Sequence, residues 1–242
     1  MLELDGINEY NNSGALLGLD GGDHDDLMGA LKEMNPVQRM RVMNKLAGGN
    51  SASRGSRAEM EKHFAELPSH IKDGLVSGDL RLADTIIYSR KAVNSKTVKM
   101  FETQDVKAVG LRNISNAKLP KNQGLLVSGI FLLAGVVTGE GLASDDKVIA
   151  STFGKLEDFP AIANGEFTLK ANKKIILGDV CNCVFKTANN NQLPIGYYKL
   201  ANPRVIQDDV LLEATIELGS LTGINTEKTF LYIGLHGTIT TP

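Results

Sequence analysis

The chain has 242 residues, 42% of them hydrophobic and 22% charged, with a formal net charge of −2. This is an ordinary soluble globular composition, long enough for one large domain or two small ones. Aromatic residues make up only 5% and tryptophan is absent, which argues against an aromatic platform for carbohydrate or single-stranded nucleic acid. A pI near 6.1 argues against a generally basic nucleic-acid binder.

The charge is segregated along the chain. Residues 1–36 carry −7, residues 37–99 carry +6 and residues 100–242 carry −1. An acidic start followed by a basic stretch fits an interaction arm that meets a complementary surface, including another copy of the chain, and equally fits two solvated helical faces. The opening residues Met1-Leu-Glu-Leu-Asp-Gly6 lack the basic and apolar regions of a signal peptide.

Residues 1–26 show no clean period. The run Gly18-Leu-Asp-Gly-Gly-Asp-His-Asp-Asp26 has the acids of a calcium loop without its spacing, and fits better as a loop ending in the N-cap of a helix. A short helix is predicted over 26–34. Asn35-Pro36 starts the next, whose apolar side is Val37, Met40, Val42, Met43 and Leu46 and whose remaining surface carries Arg39, Arg41 and Lys45. Residues 48–55 read as a flexible linker. Ser56-Arg-Ala-Glu59 is a capping-box pattern that starts a helix toward Leu67, and Pro68-Ser69 restarts one toward Val76. Asp79 caps the longest predicted helix, residues 80–93, with Leu82, Ala83, Ile86 and Ile87 inward. Arg39, Arg41, Lys45, Arg54 and Arg57 are the candidate arm contacts, able to meet phosphates without reading bases.

From residue 97 onward the pattern changes to strands and turns. Alternation, β-branched content and flanking turn residues predict strands at 98–103, 106–112, 125–137, 147–152, 166–171, 173–177, 180–186, 197–200, 210–218 and 229–240. The apolar run at 125–138 is too short for a membrane-spanning helix and reads as one long buried strand, or as two strands with a kink at a glycine. In 210–218, Leu212, Ala214, Ile216 and Leu218 share one face. In 230–240, Leu231, Ile233, Leu235, Gly237 and Ile239 form the apolar face, opposite Phe230, Tyr232, Gly234, His236 and Thr238. His236 is therefore expected on the less apolar side, as a structural residue. Cys181 and Cys183 are expected side by side on a core face, as reduced thiols, with synthesis in the cytosol.

The predicted architecture is α+β by content: a helical N-terminal region, residues 1–96, then an all-β antiparallel sandwich, residues 97–242. Removing residues 1–96 is expected to leave a folded β domain. No catalytic motif is visible: G-x-S-x-G, the P-loop and a strand-to-helix G-x-G-x-x-G are missing, and the β part offers a single histidine for any cupin-like metal set. The expectation is a protein that is not an enzyme, with no catalytic residue, cofactor, metal or small-molecule substrate.

The order of the C-terminal elements resembles the jelly-roll coat proteins of small icosahedral viruses and phages. The resemblance rests on Gly165-Glu-Phe-Thr-Leu-Lys-Ala171, Lys173-Lys-Ile-Ile-Leu177, Val180–Phe185, the extended Leu200-Ala-Asn-Pro-Arg-Val-Ile206, a long penultimate strand, and the closing Leu231-Tyr-Ile-Gly-Leu-His-Gly-Thr-Ile239. It implies a capsid subunit located in the virion, made in the host cytoplasm. Its partners would be copies of itself and other virion proteins, with the arm reaching neighbours, genome or an internal membrane. The acidic start departs from a nucleic-acid arm and favours protein contacts. The alternative is a β-sandwich module, such as a phage attachment protein, whose loops at 139–146 or 187–196 hold a receptor or glycan.

Overall fold

The computed structural model describes residues 60, 62–187 and 194–242; the described residues all belong to one compact unit, Gly55–Pro242. The predicted helices before residue 56 and the start of the capping-box helix lie outside the described residues. After a 3-10 turn at Phe64–Glu66, helix α1 spans Ser69–Ser77, entered through Pro68 as the sequence predicts. Gly78 then adopts a left-handed conformation and ends it.

Among the described residues eight strands follow: β1 Arg81–Ala92, β2 Thr97–Lys99, β3 Leu125–Val136, β4 Glu166–Ala171, β5 Lys174–Cys181, β6 Tyr197–Ile206, β7 Leu212–Glu217 and β8 Thr229–Thr241. They form two four-stranded antiparallel sheets, ordered β1-β8-β3-β6 and β2-β7-β4-β5. The pairing is nested. The first strand pairs with the last, the second with the seventh, the third with the sixth and the fourth with the fifth. The β3–β8 and β4–β7 ladders then join these four pairs into sheets.

One hydrophobic cluster spans the inner faces of both sheets, drawing Ile130, Leu132, Leu231 and Ile233 from the first and Phe167, Leu169, Leu212 and Ile216 from the second. Each such fully buried side chain contributes roughly 2 kcal/mol of transfer free energy. The predicted inward faces of 210–218 and 230–240 are those that enter this core. The long buried strand predicted at 125–137 is β3, kinked by a register shift between Val127 and Gly129.

Several expectations are overturned. Residues 80–93 form no helix; Arg81–Ala92 pairs over its whole length with β8. Leu82-Ala83 and Ile86-Ile87 satisfy a helical spacing, but they lie on both faces of a strand whose two sides each meet protein, and the run Thr85-Ile86-Ile87-Tyr88 is strand-forming. The first sheet therefore begins N-terminal to residue 97. Residues 147–152 form no strand either. Asp145–Ala150 is helix α2, with Asp145 and Asp146 at its positive end and Val148 buried. Residues 106–112 turn at Gly110, where φ is +85°, and make isolated bridges in place of a strand. Segments 173–177 and 180–186 merge into β5 followed by a 3-10 turn at Asn182–Phe185. Cys181 consequently ends the strand while Cys183 lies in the turn, and both are exposed rather than on a core face. A four-residue helix α3, Pro160–Ala163, precedes β4.

The long connection between β2 and β3 is tied to β1. Lys91 donates to Glu102 and to the buried Asp105, each at 2.7 Å. Asn113 mimics a neighbouring strand: its side-chain NH2 donates to the Ile86 carbonyl and its oxygen accepts the Tyr88 N–H, both at 2.8 Å. The Arg90 N–H reaches the Leu111 carbonyl at 2.8 Å. This part of the β1 edge is thereby closed to other strands.

Candidate functional site

The outer face of the first sheet is covered at both ends. At one end Met60, Leu67, Ile71 and Leu80 pack on Leu126. At the other, Leu111, Val137 and Val148 enclose Phe230. Between these covers the face carries half-buried aromatic side chains.

Register places them in rows across the four strands. Tyr88, Gly234, Phe131 and Tyr197 lie side by side on β1, β8, β3 and β6, and the next row holds Ile86, His236, Gly129 and Lys199. Glycine at two positions allows the rings to lie down on the sheet. A Cβ on Gly129 would collide with the Tyr197 hydroxyl, and one on Gly234 would stand 2.9 Å from the Tyr232 hydroxyl and from Ile86. The Phe131 and Tyr197 rings are 4.8 Å apart, Tyr197 and His236 5.8 Å, and the Tyr197 hydroxyl is 3.5 Å from Nδ1 of His236. Beside them Tyr88 stacks on Tyr232 at 6.0 Å. Phe153 lies 5.1 Å from Tyr232, and the Arg90 guanidinium sits 4.9 Å over Phe153. Burial pushes the Tyr232 phenol up, against the pull of Arg90.

A flat patch rich in tyrosine and phenylalanine, with Arg90 and Lys199 at its margins, has the make-up of a protein–protein contact centre. Rings locked by mutual packing lose little further entropy when a partner covers them.

A second feature is a cleft of about 890 Å³ along the open side of the sandwich, lined by His70, Asn113, Lys118, Asp208, Asp209 and Ile239 among others. Four of its lining side chains are engaged with one another, His70 with Asp208 and Lys118 with Asp209, both at 2.9 Å. Among the described residues no group of three or more metal-ligating side chains converges, and no helix is long and apolar enough to cross a membrane.

The five candidate arm contacts, Arg39, Arg41, Lys45, Arg54 and Arg57, lie outside the described residues, as does most of the loop at 187–196. His236 is on the outer face of the last strand, as its alternation predicts. What sequence reasoning missed is that Tyr88, Phe131 and Tyr197 share that face. The alternation Gly129-Ile-Phe131 on β3 and Tyr232-Ile-Gly234-Leu-His236 on β8 carries the signal, but only the register shows that the rows align. No protein-family model matches the chain, and no curated protein matches it.

Proposed function

We propose that this chain is a virion coat subunit whose sandwich is a jelly roll and whose self-association buries the aromatic outer face of the first sheet. The observation that carries the reading is the nested pairing of β1 with β8, β2 with β7, β3 with β6 and β4 with β5. Rolling one long antiparallel ribbon of four strand pairs into two sheets would give that order, which supports the jelly-roll reading. Fold alone does not choose a function. The aromatic face adds a surface suited to a second copy, because tyrosine and phenylalanine are enriched and charge is sparse at interface centres.

The state of the sheet edges fits the same role. β6 contains Pro203, β2 has three residues, and β5 is broken by register shifts and by Asp179 at positive φ. Edges blunted in this way leave faces and loops as the route to ordered assembly. The N-terminal segment, with its acidic and basic blocks and with Arg39, Arg41, Lys45, Arg54 and Arg57, would reach neighbouring subunits, other virion proteins or the particle interior. The site of action is the virion, and synthesis is in the host cytoplasm.

Light scattering coupled to size exclusion, with negative-stain imaging of the full-length chain, tests the proposal. Defined closed oligomers or shells are expected, and Phe131→Ala is expected to shift the mass toward monomer while keeping a cooperative melt. A monomer at all concentrations overturns the coat reading. Glycan and receptor screens of the loops at 139–146 and 187–196 would then test the attachment-module alternative.

A further inference from the structure

The C-x-C pair is unused by the role above, and its geometry is specific. Asn182, the residue between the two thiols, is fully buried. Its N–H donates to the Gly165 carbonyl and its side-chain NH2 donates to the Ile162 carbonyl, both at 2.8 Å. Phe185, at the end of the same 3-10 turn, is also fully buried. With the turn pinned at these two points, Cys181 and Cys183 are both held at the surface.

The two sulfurs have different environments. The Cys181 sulfur accepts the Cys183 N–H at 3.4 Å, as the cap of the turn. The Cys183 side chain and then this backbone N–H hold the Cys181 thiol below its ordinary value, with Lys186 adding a smaller pull against Glu166. The hydrogen bond to Cys181 pushes the Cys183 thiol up. The Cys181 sulfur also lies 3.7 Å from the Ala163 carbonyl, to which its S–H donates when protonated. Two exposed, adjacent cysteines, one of them a sulfur that accepts a backbone N–H, form the arrangement of a peroxide-sensitive cysteine with a resolving partner.

We propose that Cys181 is a modification site for hydroperoxides and related thiol-directed electrophiles, with Cys183 as its resolving thiol. In the first step the Cys181 thiolate attacks a peroxide oxygen. An S–O bond forms, the O–O bond breaks, and the leaving hydroxide or alkoxide takes a proton. The sulfur is oxidised to a sulfenic acid and the peroxide is reduced to water or an alcohol. In the second step the Cys183 sulfur attacks that of Cys181. The S–S bond forms, the S–O bond breaks, and the departing hydroxide leaves as water with the Cys183 proton.

The test uses the full-length chain with hydrogen peroxide, dimedone as the sulfenic-acid trap, and peptide-resolved mass spectrometry. Iodoacetamide at neutral pH is expected to alkylate Cys181 roughly fivefold or more faster than Cys183. Cys183→Ser keeps a hydroxyl donor to Cys181 but removes the resolving thiol, so its dimedone adduct at Cys181 should exceed that of the wild type roughly fivefold, while the wild type accumulates the Cys181–Cys183 disulfide. Cys181→Ser should show neither product over the same time. Thermal melts establish that both variants are folded. Equal alkylation of the two thiols, preference for Cys183, or equal dimedone trapping in wild type and Cys183→Ser overturns the proposal.

Discussion

Single residues decide how closely the strands of the first sheet approach. Gly237 on β8 lies opposite Val127, beside the β3 kink, and a Cβ there would fall onto the backbone carbonyl of Leu126. Backbone cannot yield as a side chain can, so Gly237→Ala is expected to destabilise the fold by about 3 kcal/mol or more. Gly234→Ala meets Ile86 and Tyr232 side chains at 2.9 Å, which can shift, so its cost should be nearer about 1 kcal/mol. Urea unfolding of both variants measures the difference, and equal costs would contradict this account. The two cysteines show how little a spacing says by itself. C-x-C on a strand places both sulfurs on one face, but the strand ends at Cys181 and the buried Asn182 turns both outward.

At the scale of elements, α1 is a short helix that depends on its contacts. Its buried residue is Ile71, which joins the cluster around Leu126. Its polar anchor is His70, bonded at 2.9 Å to Asp208, which also accepts the Asn122 N–H at 2.8 Å. Burial alone would raise the Asp208 carboxyl; the Asn122 N–H and the His70 side chain outweigh it and hold the value below its ordinary 3.8. Because the folded-state value lies below the unfolded one, ionised Asp208 stabilises the fold above 3.8, and that contribution fades as pH falls through the folded value. Asp208→Asn should therefore melt at a lower temperature than wild type at neutral pH, with the gap closing in acid. A gap that stays constant with pH would show that the charge contributes nothing. The β4–β5 hairpin is legible in part: the sequence predicts strands on both sides of Asn172, and the turn takes in Lys173 as well, both residues having positive φ.

At the scale of the whole molecule, β1 changes the expected effect of truncation. Every residue of Arg81–Ala92 is in register with β8, so removing residues 1–96 strips one strand from the first sheet and exposes the length of β8. Cooperative melting should be lost in that product, contrary to the expectation from the change of pattern at residue 97. Removing residues 1–59 spares Met60, α1 and all eight strands, and should leave a cooperative melt with impaired assembly. Calorimetry and light scattering on the two truncations distinguish the outcomes. A fully assembling protein lacking residues 1–59 would show that the arm has no part in association.

The amino-acid sequence determined what depends on near neighbours. It set the long buried strand at 125–136, the inward faces of Leu212, Ala214 and Ile216 and of Leu231, Ile233 and Leu235, and the outward place of His236, because side-chain direction along a strand has a period of two. The tertiary structure decided what depends on residues distant in the chain. Residues 81–92 satisfy a helical spacing as well as holding the strand-forming run Thr85–Tyr88, and β8, more than a hundred residues away, decides between them by offering a partner. Residues 145–150 become helical while packing Val148 against Phe230. The aromatic face exists because three independent registers bring Tyr88, Phe131, Tyr197 and His236 together over two glycines, and a register is a property of paired strands, which no single segment carries.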